Sequence, residues 1–403
     1  MMTKLRVVVA MLLIFTFMAV STNYGLYYRL TYILALVLIL SYLWTWVNGR
    51  WIKVSVDRDV GSTRVGGWLE ERFSVTNHSR FVPVGWVDLH ESSDMPDHGG
   101  EMVISLPNST IAKWTFKTRC KQRGKFSLGP VSVISGDPLG LFRKGRPFGK
   151  AQSFLVYPAV VDLPNLRLLS SDLPGDNASR LHTQAVTPDA AGVREYAPGD
   201  SFNSVHWKTT ARMGKLMVKE FEQEESTKIW IVLDMQSGIH AGVEEESTEE
   251  YGVTTAASIA DRYLQAGLSL GLIAHGDMEI NLGPKPGINQ RDLIMEGLAE
   301  IRARGAMALG QVLGAHEHVF NRYCTVVVIT PSTDESWLGS LQRLAQKRVQ
   351  TSAVLLEAQT FGGDGNLLPL VGSLAAAQVP TCLVSKGDEL RAALDFGYAR
   401  KTV

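Results

Sequence analysis

The chain has 403 residues, of which 45% are hydrophobic and 20% charged, enough to bury more than one core. Lys plus Arg number 40, as do Asp plus Glu, so the formal net charge is zero, and this excludes a general nucleic-acid binder, whose affinity comes from neutralising phosphates. Cys120, Cys324 and Cys382 lie far apart with no Cys-x-x-Cys, which excludes a disulfide framework or a cysteine zinc site and fits a reducing compartment.

Residues 7–20 are apolar apart from Thr16, and residues 30–47 form a second apolar run without charge. Each is close to the ~20 residues needed to span hydrocarbon. Tyr24, Tyr27 and Tyr28 fall between the runs, and Trp44, Trp46 and Trp51 fall at the far end of the second, as in interfacial aromatic belts. The spacing predicts a transmembrane helix hairpin over residues 1–50. Lys4 and Arg6 precede it, Arg50 and Lys53 follow it, and the connection carries only Arg29. The positive-inside rule then sets both ends in the cytoplasm, giving a multi-pass protein of the plasma membrane with cytoplasmic soluble domains. The competing reading, a cleaved signal peptide followed by one span, needs a small-residue cleavage site, for which Ser21-Thr22-Asn23-Tyr24 is poor.

Over residues 51–160 the pattern is short alternating runs, such as 53–57, 71–75, 84–89 and 113–118, separated by Gly, Pro, Asn and Asp. This predicts an all-β sandwich, with Asn77-His78-Ser79-Arg80 as a hairpin turn. No cluster of catalytic residue types is legible there, so the domain reads as a spacer or binding module. A stretch rich in Pro, Asp, Asn and Ser then makes residues 161–190 a linker.

Residues 193–224 concentrate unusual residue types at fixed spacing. Pro198-Gly199 suits the centre of a type II turn, Asp200 or Ser201 can cap a helix through Val205, His206, Trp207 and Lys208 to about Arg212, and Met213-Gly214 stops it. The chain then re-extends over 216–221. Two readings of this unit stand. In one, Arg194 or Arg212 pairs with Asp200 in a buried bracket while Trp207 fills a gap in the core. In the other, the basic residues Lys208, Lys215 and Lys219 offer a surface to an acidic partner. His206 has no nucleophile or paired carboxylate at readable spacing, so it reads as structural.

Beyond this unit, apolar runs at 229–234, 269–274, 325–330, 352–356 and 381–385 alternate with helical patterns at 249–266, 290–304, 335–347 and 367–377. Such alternation predicts a doubly wound α/β domain with a buried parallel sheet, completing residues 191–403. His316-Glu317-His318 does not share a helix face and reads as a solvated helix end. The acidic groups Glu249 and Glu250 suit the start of a helix. No phosphate-binding loop or nucleophile elbow is present in the sequence.

The spacing Arg194, Tyr196, Gly199, Asp200, Trp207, Ala211, Arg212 resembles the signature of the bacterial family called domain of unknown function 58 (DUF58). Residues 136–142 (GDPLGLF) and Val156-Tyr157-Pro158 are similar to that family as well. The strand ending at Asp234 resembles a von Willebrand factor type A domain. Its adhesion site would need oxygen ligands from three loops. Here Gln236 and Gly238 stand at the two serine positions, and Pro331 follows Thr330 where an aspartate is expected, with Asp334 farther along. The resemblance therefore implies a degraded metal site at Asp234 and no cofactor. It also implies partners, since members of the family are typically encoded beside MoxR-type AAA ATPases and membrane-bound transglutaminase-like proteins. The expectation is a non-catalytic, membrane-anchored adaptor in envelope-protein assembly or maturation. The alternative is an enzyme of unknown reaction working through His206, Arg212 and Asp234.

Overall fold

The computed structural model describes residues 2–58, 62–79, 83–164, 166, 190–197, 205–221, 228–322 and 324–394. The chain divides into two compact units, Met1–Ala159 and Val160–Val403. Most of the expected linker lies outside the described residues.

The first unit opens with two helices, α1 (Met2–Thr22) and α2 (Gly25–Trp51), which pack against each other. Their apolar stretches, Lys4–Thr22 and Gly25–Val47, have mean hydropathies of 2.2 and 2.0 and keep nearly all their side chains out of any protein core. Two outward-facing helices of this length and composition suggest membrane association. Arg29, expected in the connection, lies on α2. Asn23 and Tyr24 alone separate the helices, because Asn23 takes a left-handed conformation (φ 51°) that reverses the chain at once.

The all-β region follows as β1 (Ile52–Arg58), β2 (Thr63–Arg64), β3 (Trp68–Asn77), β4 (Val84–Ser93), β5 (Glu101–Leu106), β6 (Ile111–Arg119), β7 (Gly124–Gly136), β8 (Arg143–Phe148) and β9 (Gln152–Tyr157). One sheet has the order β1-β3-β6; the other runs β2-β9-β7-β4-β5, with β8 paired to β7. The expected hairpin at Asn77–Arg80 is corrected, because β3 and β4 belong to different sheets. Asn77 is instead a buried corner: its amide donates to the Leu106 and Pro107 carbonyls (3.4 and 3.2 Å) and its Oδ1 accepts from Ser79 N at 2.9 Å. A side chain that bonds backbone on both sides can turn the chain between sheets, as a two-residue hairpin cannot.

The second unit begins with an antiparallel pair, β10 (Ala190–Glu195) and β11 (Met217–Phe221), which brackets the short helix α3 (Trp207–Met213). A six-stranded sheet follows. In chain order its parts are β12 (Lys228–Leu233), the small ribbon β13 (Gly242–Val243) and β14 (Glu246–Ser247), α4 (Thr248–Gln265), β15 (Ser269–His275), β16 (Glu279–Lys285), α5 (Ile288–Glu300) and α6 (Leu309–Ala315). Then come β17 (Cys324–Thr330), α7 (Leu338–Gln346), β18 (Gln350–Leu356), α8 (Leu368–Ala376), β19 (Thr381–Val384) and α9 (Leu390–Ala393). The strand order is β16-β15-β12-β17-β18-β19. The sheet is mixed rather than wholly parallel, since β16 runs antiparallel to β15 at the edge.

Helices cover both faces, which is why the central strands read as unbroken apolar runs. Trp230 and Val232 face a core shared with Leu309 and Val312 of α6, Trp337 just before α7, Leu341 of α7 and Leu370 of α8. On the opposite face α4 packs closely enough that a side chain at Gly252 would meet Leu356, Leu233 and Ile329 at 3.2–3.9 Å. Ser247 caps α4, accepting from Glu250 N at 3.3 Å, and Glu249 and Glu250 occupy its first turn as the helix dipole favours.

Candidate functional site

The signature unit is built around a buried valine pair. Val205 bridges Val218, and both are 4% exposed. His206 caps α3: Thr209 N donates to its Nδ1 at 3.3 Å, and the Thr209 hydroxyl lies 2.7 Å from the same nitrogen. The His206 backbone N–H is tied to Met217 O (2.8 Å), and Tyr196 N donates to Leu216 O (2.9 Å). Gly214 ends the helix in the left-handed region at φ 67°, as Met213-Gly214 foretold.

The capping residue is therefore His206, not Asp200 or Ser201, and the helix begins at Trp207, so Val205 and His206 of the expected span precede it. Gly199 and Asp200 lie outside the described residues, as does the side chain of Lys219. The buried reading of Trp207 and Arg194 is corrected. Trp207 is 65% exposed, Arg194 is exposed with an Nη1 contact to Glu195 O at 3.3 Å, and no residue of the seven-residue α3 is buried. The buried apolar contact of the unit is made instead by Val205, just before the helix, with Val218 of β11. Lys208, Arg212 and Lys215 of the same short unit are exposed as well, with Lys215 paired to Glu195 at 3.2 Å. Met213, Leu216 and Val193 add further exposed apolar surface.

Asp234 closes β12 at the carboxyl edge of the sheet. The connection after β12 leads toward β15 on one side, and that after β17 leads toward β18 on the other, so Asp234 and Thr330 sit at the topological switch point, where open α/β sheets bind ligands. The two residues are spent on each other. Asp234 is 4% exposed, accepts the Thr330 hydroxyl at 2.7 Å on Oδ2 and accepts Gln236 N at 3.2 Å on Oδ1. Burial pushes its carboxyl up, against the lowering effect of those two donors. Asp334 is turned onto its own loop, accepting from Ser336 N and Oγ at 3.0 and 2.6 Å, which lowers its carboxyl. His240, which sequence reading passed over, reaches the Asp234 carbonyl at 3.1 Å. No hydrogen bond or ion pair among the described residues joins His206, Arg212 and Asp234.

The β region also departs from expectation, for it does hold a cluster of chemically competent groups. Arg58 Nε donates to Glu71 Oε1 at 2.7 Å, Arg58 Nη2 pairs with Glu91 Oε1, and His98 Nε2 lies 3.3 and 3.2 Å from Glu71 Oε2 and Glu91 Oε2. All four side chains are buried. Arg58 and, when protonated, His98 face two carboxylates, so the quartet reads as an ion network holding β1, β3 and β4 in register across both sheets. The hydrogen bond to Glu91 raises the His98 imidazole despite burial, while burial pushes the Glu71 carboxyl up.

The group 316–318 separates as the helix ends. Glu317 pairs with Arg343 and Lys347 at 3.1 and 2.8 Å and His318 is exposed, as a solvated end requires. His316, however, is buried, which corrects the expectation for that residue, because as the C-cap of α6 it folds back onto the helix.

Residues 192–381 match the family model described as Protein of unknown function DUF58, a span that takes in the signature and the sheet as far as the start of β19. The uncharacterized protein YeaD of Bacillus subtilis (strain 168) is 34% identical over 165 residues, which is 40% of this chain and 38% of that protein. Among solved structures, a von Willebrand factor type A protein from Catenulispora acidiphila is similar with a TM-score of 0.29 at 13% identity, covering 45% of this chain and 42% of that one. Proximal thread matrix protein 1 from the mussel byssus gives 0.31 at 13% identity, over 42% and 46%. The fold described above rests on the strand order and not on these likenesses.

Proposed function

We propose that this protein is a non-catalytic adaptor, anchored by α1 and α2 as a two-span hairpin, that captures an acidic protein partner through the signature unit. The observation that carries this reading is the exposure of Trp207 in a short unit whose Lys208, Arg212 and Lys215 are exposed too. Tryptophan and arginine dominate the energetics of protein interfaces, and an indole held in water on a rigidly capped helix is preorganised for docking. The self-satisfied Asp234–Thr330 pair supports the absence of chemistry at the switch point. The resemblance to DUF58 supports the partner class, a MoxR-type AAA ATPase together with a transglutaminase-like membrane protein. Lys4, Arg6, Arg50 and Lys53 at the outer ends of the helices support a cytoplasmic location for both units.

Affinity capture of the detergent-solubilised full chain in the presence of ATP, read by mass spectrometry, tests the reading. An AAA ATPase should be retained by the wild type and lost with Trp207→Ala, while the melting temperature stays within the range of a surface change of about 0.5 kcal/mol. Equal capture by both proteins would refute the role of Trp207. Alkaline phosphatase fused after Val403 should be inactive, and strong activity there would overturn the cytoplasmic orientation.

A further inference from the structure

Three donor groups that no part of the foregoing function uses meet at the carboxyl edge of the sheet. His275 is the last residue of β15. The chain reverses through Gly276–Met278, with Gly276 N donating to Met278 O at 3.0 Å, and returns as β16, whose first residue, Glu279, is registered directly against His275. His316 comes from the end of α6, a helix fixed in the core through Leu309, Val312 and Leu313. The imidazole rings of His275 and His316 lie 5.3 Å apart. One donor atom from each of the three side chains falls within 4.8 Å of the others.

The hydrogen-bond inventory makes these rings unusual. His316 Nδ1 lies 3.0 Å from the Val312 carbonyl, which can only accept, so the nitrogen donates. In the neutral ring the lone pair is then on Nε2, the arrangement that second-shell carbonyls impose on metal-bound histidines. His275 Nε2 is buried and has no hydrogen-bond partner among the described residues. The nearest carboxylate oxygen, Glu279 Oε1, is 3.9 Å away, too far for a hydrogen bond. A buried polar atom left unpaired costs stability unless something comes to meet it. Glu279 itself is 62% exposed at the side chain, so its carboxylate can swing in and an ion can enter from solvent.

We propose that His275, His316 and Glu279 form a binding site for a divalent transition-metal ion, with zinc the best match. Two imidazoles and one carboxylate suit zinc, whereas magnesium and calcium require mainly oxygen ligands. Zinc bonds of about 2.0–2.2 Å in tetrahedral geometry set neighbouring ligand atoms roughly 3.3 Å apart, so the donors, now within 4.8 Å of one another, close in by rotation of the exposed Glu279 carboxylate and of the two imidazole rings. Three protein ligands leave the fourth position to water or to a partner's side chain. The fold holds the backbones of all three donors at two strand ends and a helix end, and the Glu279 side chain completes the site as the ion enters.

The test uses the full chain in detergent, purified through a tag without histidine and stripped with a chelator. Zinc is titrated in competition with a chromophoric chelator, and cobalt serves as a spectroscopic probe of coordination. One zinc per chain should bind and raise the melting temperature, with cobalt giving the visible absorption of a tetrahedral site. Glu279→Gln should weaken zinc at least about tenfold, and His275→Gln should weaken it further and remove the cobalt band. Glu279 is exposed, so the stripped Glu279→Gln protein should melt with the wild type, and it decides the matter if His275→Gln does not fold. Absence of zinc binding to the wild type would overturn the proposal. So would zinc held equally by both variants, which would move the ion elsewhere, for instance to Glu71, Glu91 and His98.

Discussion

Glu71 and Asp234 are both carboxylates buried in apolar interiors, yet the two units treat them differently. In the β-sheet unit Glu71 faces a guanidinium and an imidazole and shares them with Glu91. In the α/β unit Asp234 faces a hydroxyl and a backbone N–H, both neutral. A charge matched by charge must keep every member, because removing one strands the others in low dielectric. A carboxyl matched by neutral donors can be replaced by a neutral acceptor. The first arrangement fixes register between strands distant in sequence, and the second closes a loop.

That contrast predicts a ranking. Arg58→Ala should be the most damaging change, lowering stability of the first unit by about 3–5 kcal/mol because two buried carboxylates lose their shared cation. Chemical denaturation checks this, and a loss near zero would mean the quartet is open to solvent. Asp234→Ala should cost less, about 1–3 kcal/mol, for the stranded Thr330 hydroxyl and Gln236 N–H, while Asp234→Asn should be nearly neutral. A large cost for Asp234→Asn would show that the negative charge itself is used, and would revive a cation at the switch point.

The smallest effect is in pH dependence, since titration weakens an interaction where mutation deletes it. The His98 pKa is raised in the folded chain by its hydrogen bond to Glu91, so its contribution is fully present below the ordinary value of 6.5 and is lost as pH rises through the folded value. Asp234 is also raised, by burial. An acid shifted this way binds its proton more tightly when folded, so its stabilisation likewise fades with rising pH, but across a window that opens at 3.8. Melting curves against pH should therefore show an upper decline removed by His98→Gln and a lower one reduced by Asp234→Asn, the remainder belonging to Glu71, whose carboxyl is also raised by burial from 4.5.

Much of the α/β sheet was legible because strands covered on both faces must be apolar throughout, and runs such as Val326–Ile329 have no other use. The edge strand β16 was not. Its sequence EINLGPK carries Gly and Pro and half faces water, so neither its antiparallel pairing nor the meeting of Glu279 with His275 was foreseen. The quartet did leave a trace. Arg58 continues the inward phase of Ile52, Val54 and Val56, Glu71 that of Leu69, Phe73 and Val75, and Glu91 that of Val87 and Leu89. An ionisable residue in step with apolar ones on three strands signals a buried network, although only the register between strands tells which residues meet. For Trp207 the sequence misled, because an aromatic residue in a short motif reads as an anchor, whereas the buried pair of the unit is Val205 and Val218.

The two-residue connection between α1 and α2 constrains the proposed two-span anchor. Asn23 and Tyr24 cannot reach across a bilayer, and they give neither helix slack to lie on a surface while the other inserts. In the two-span anchor proposed above the helices would partition as one object, so their transfer free energies would add and a penalty on either would be felt by both. A single lysine at Leu13, near the middle of α1, would thus oppose insertion of α2 as well, although no residue of α2 had changed.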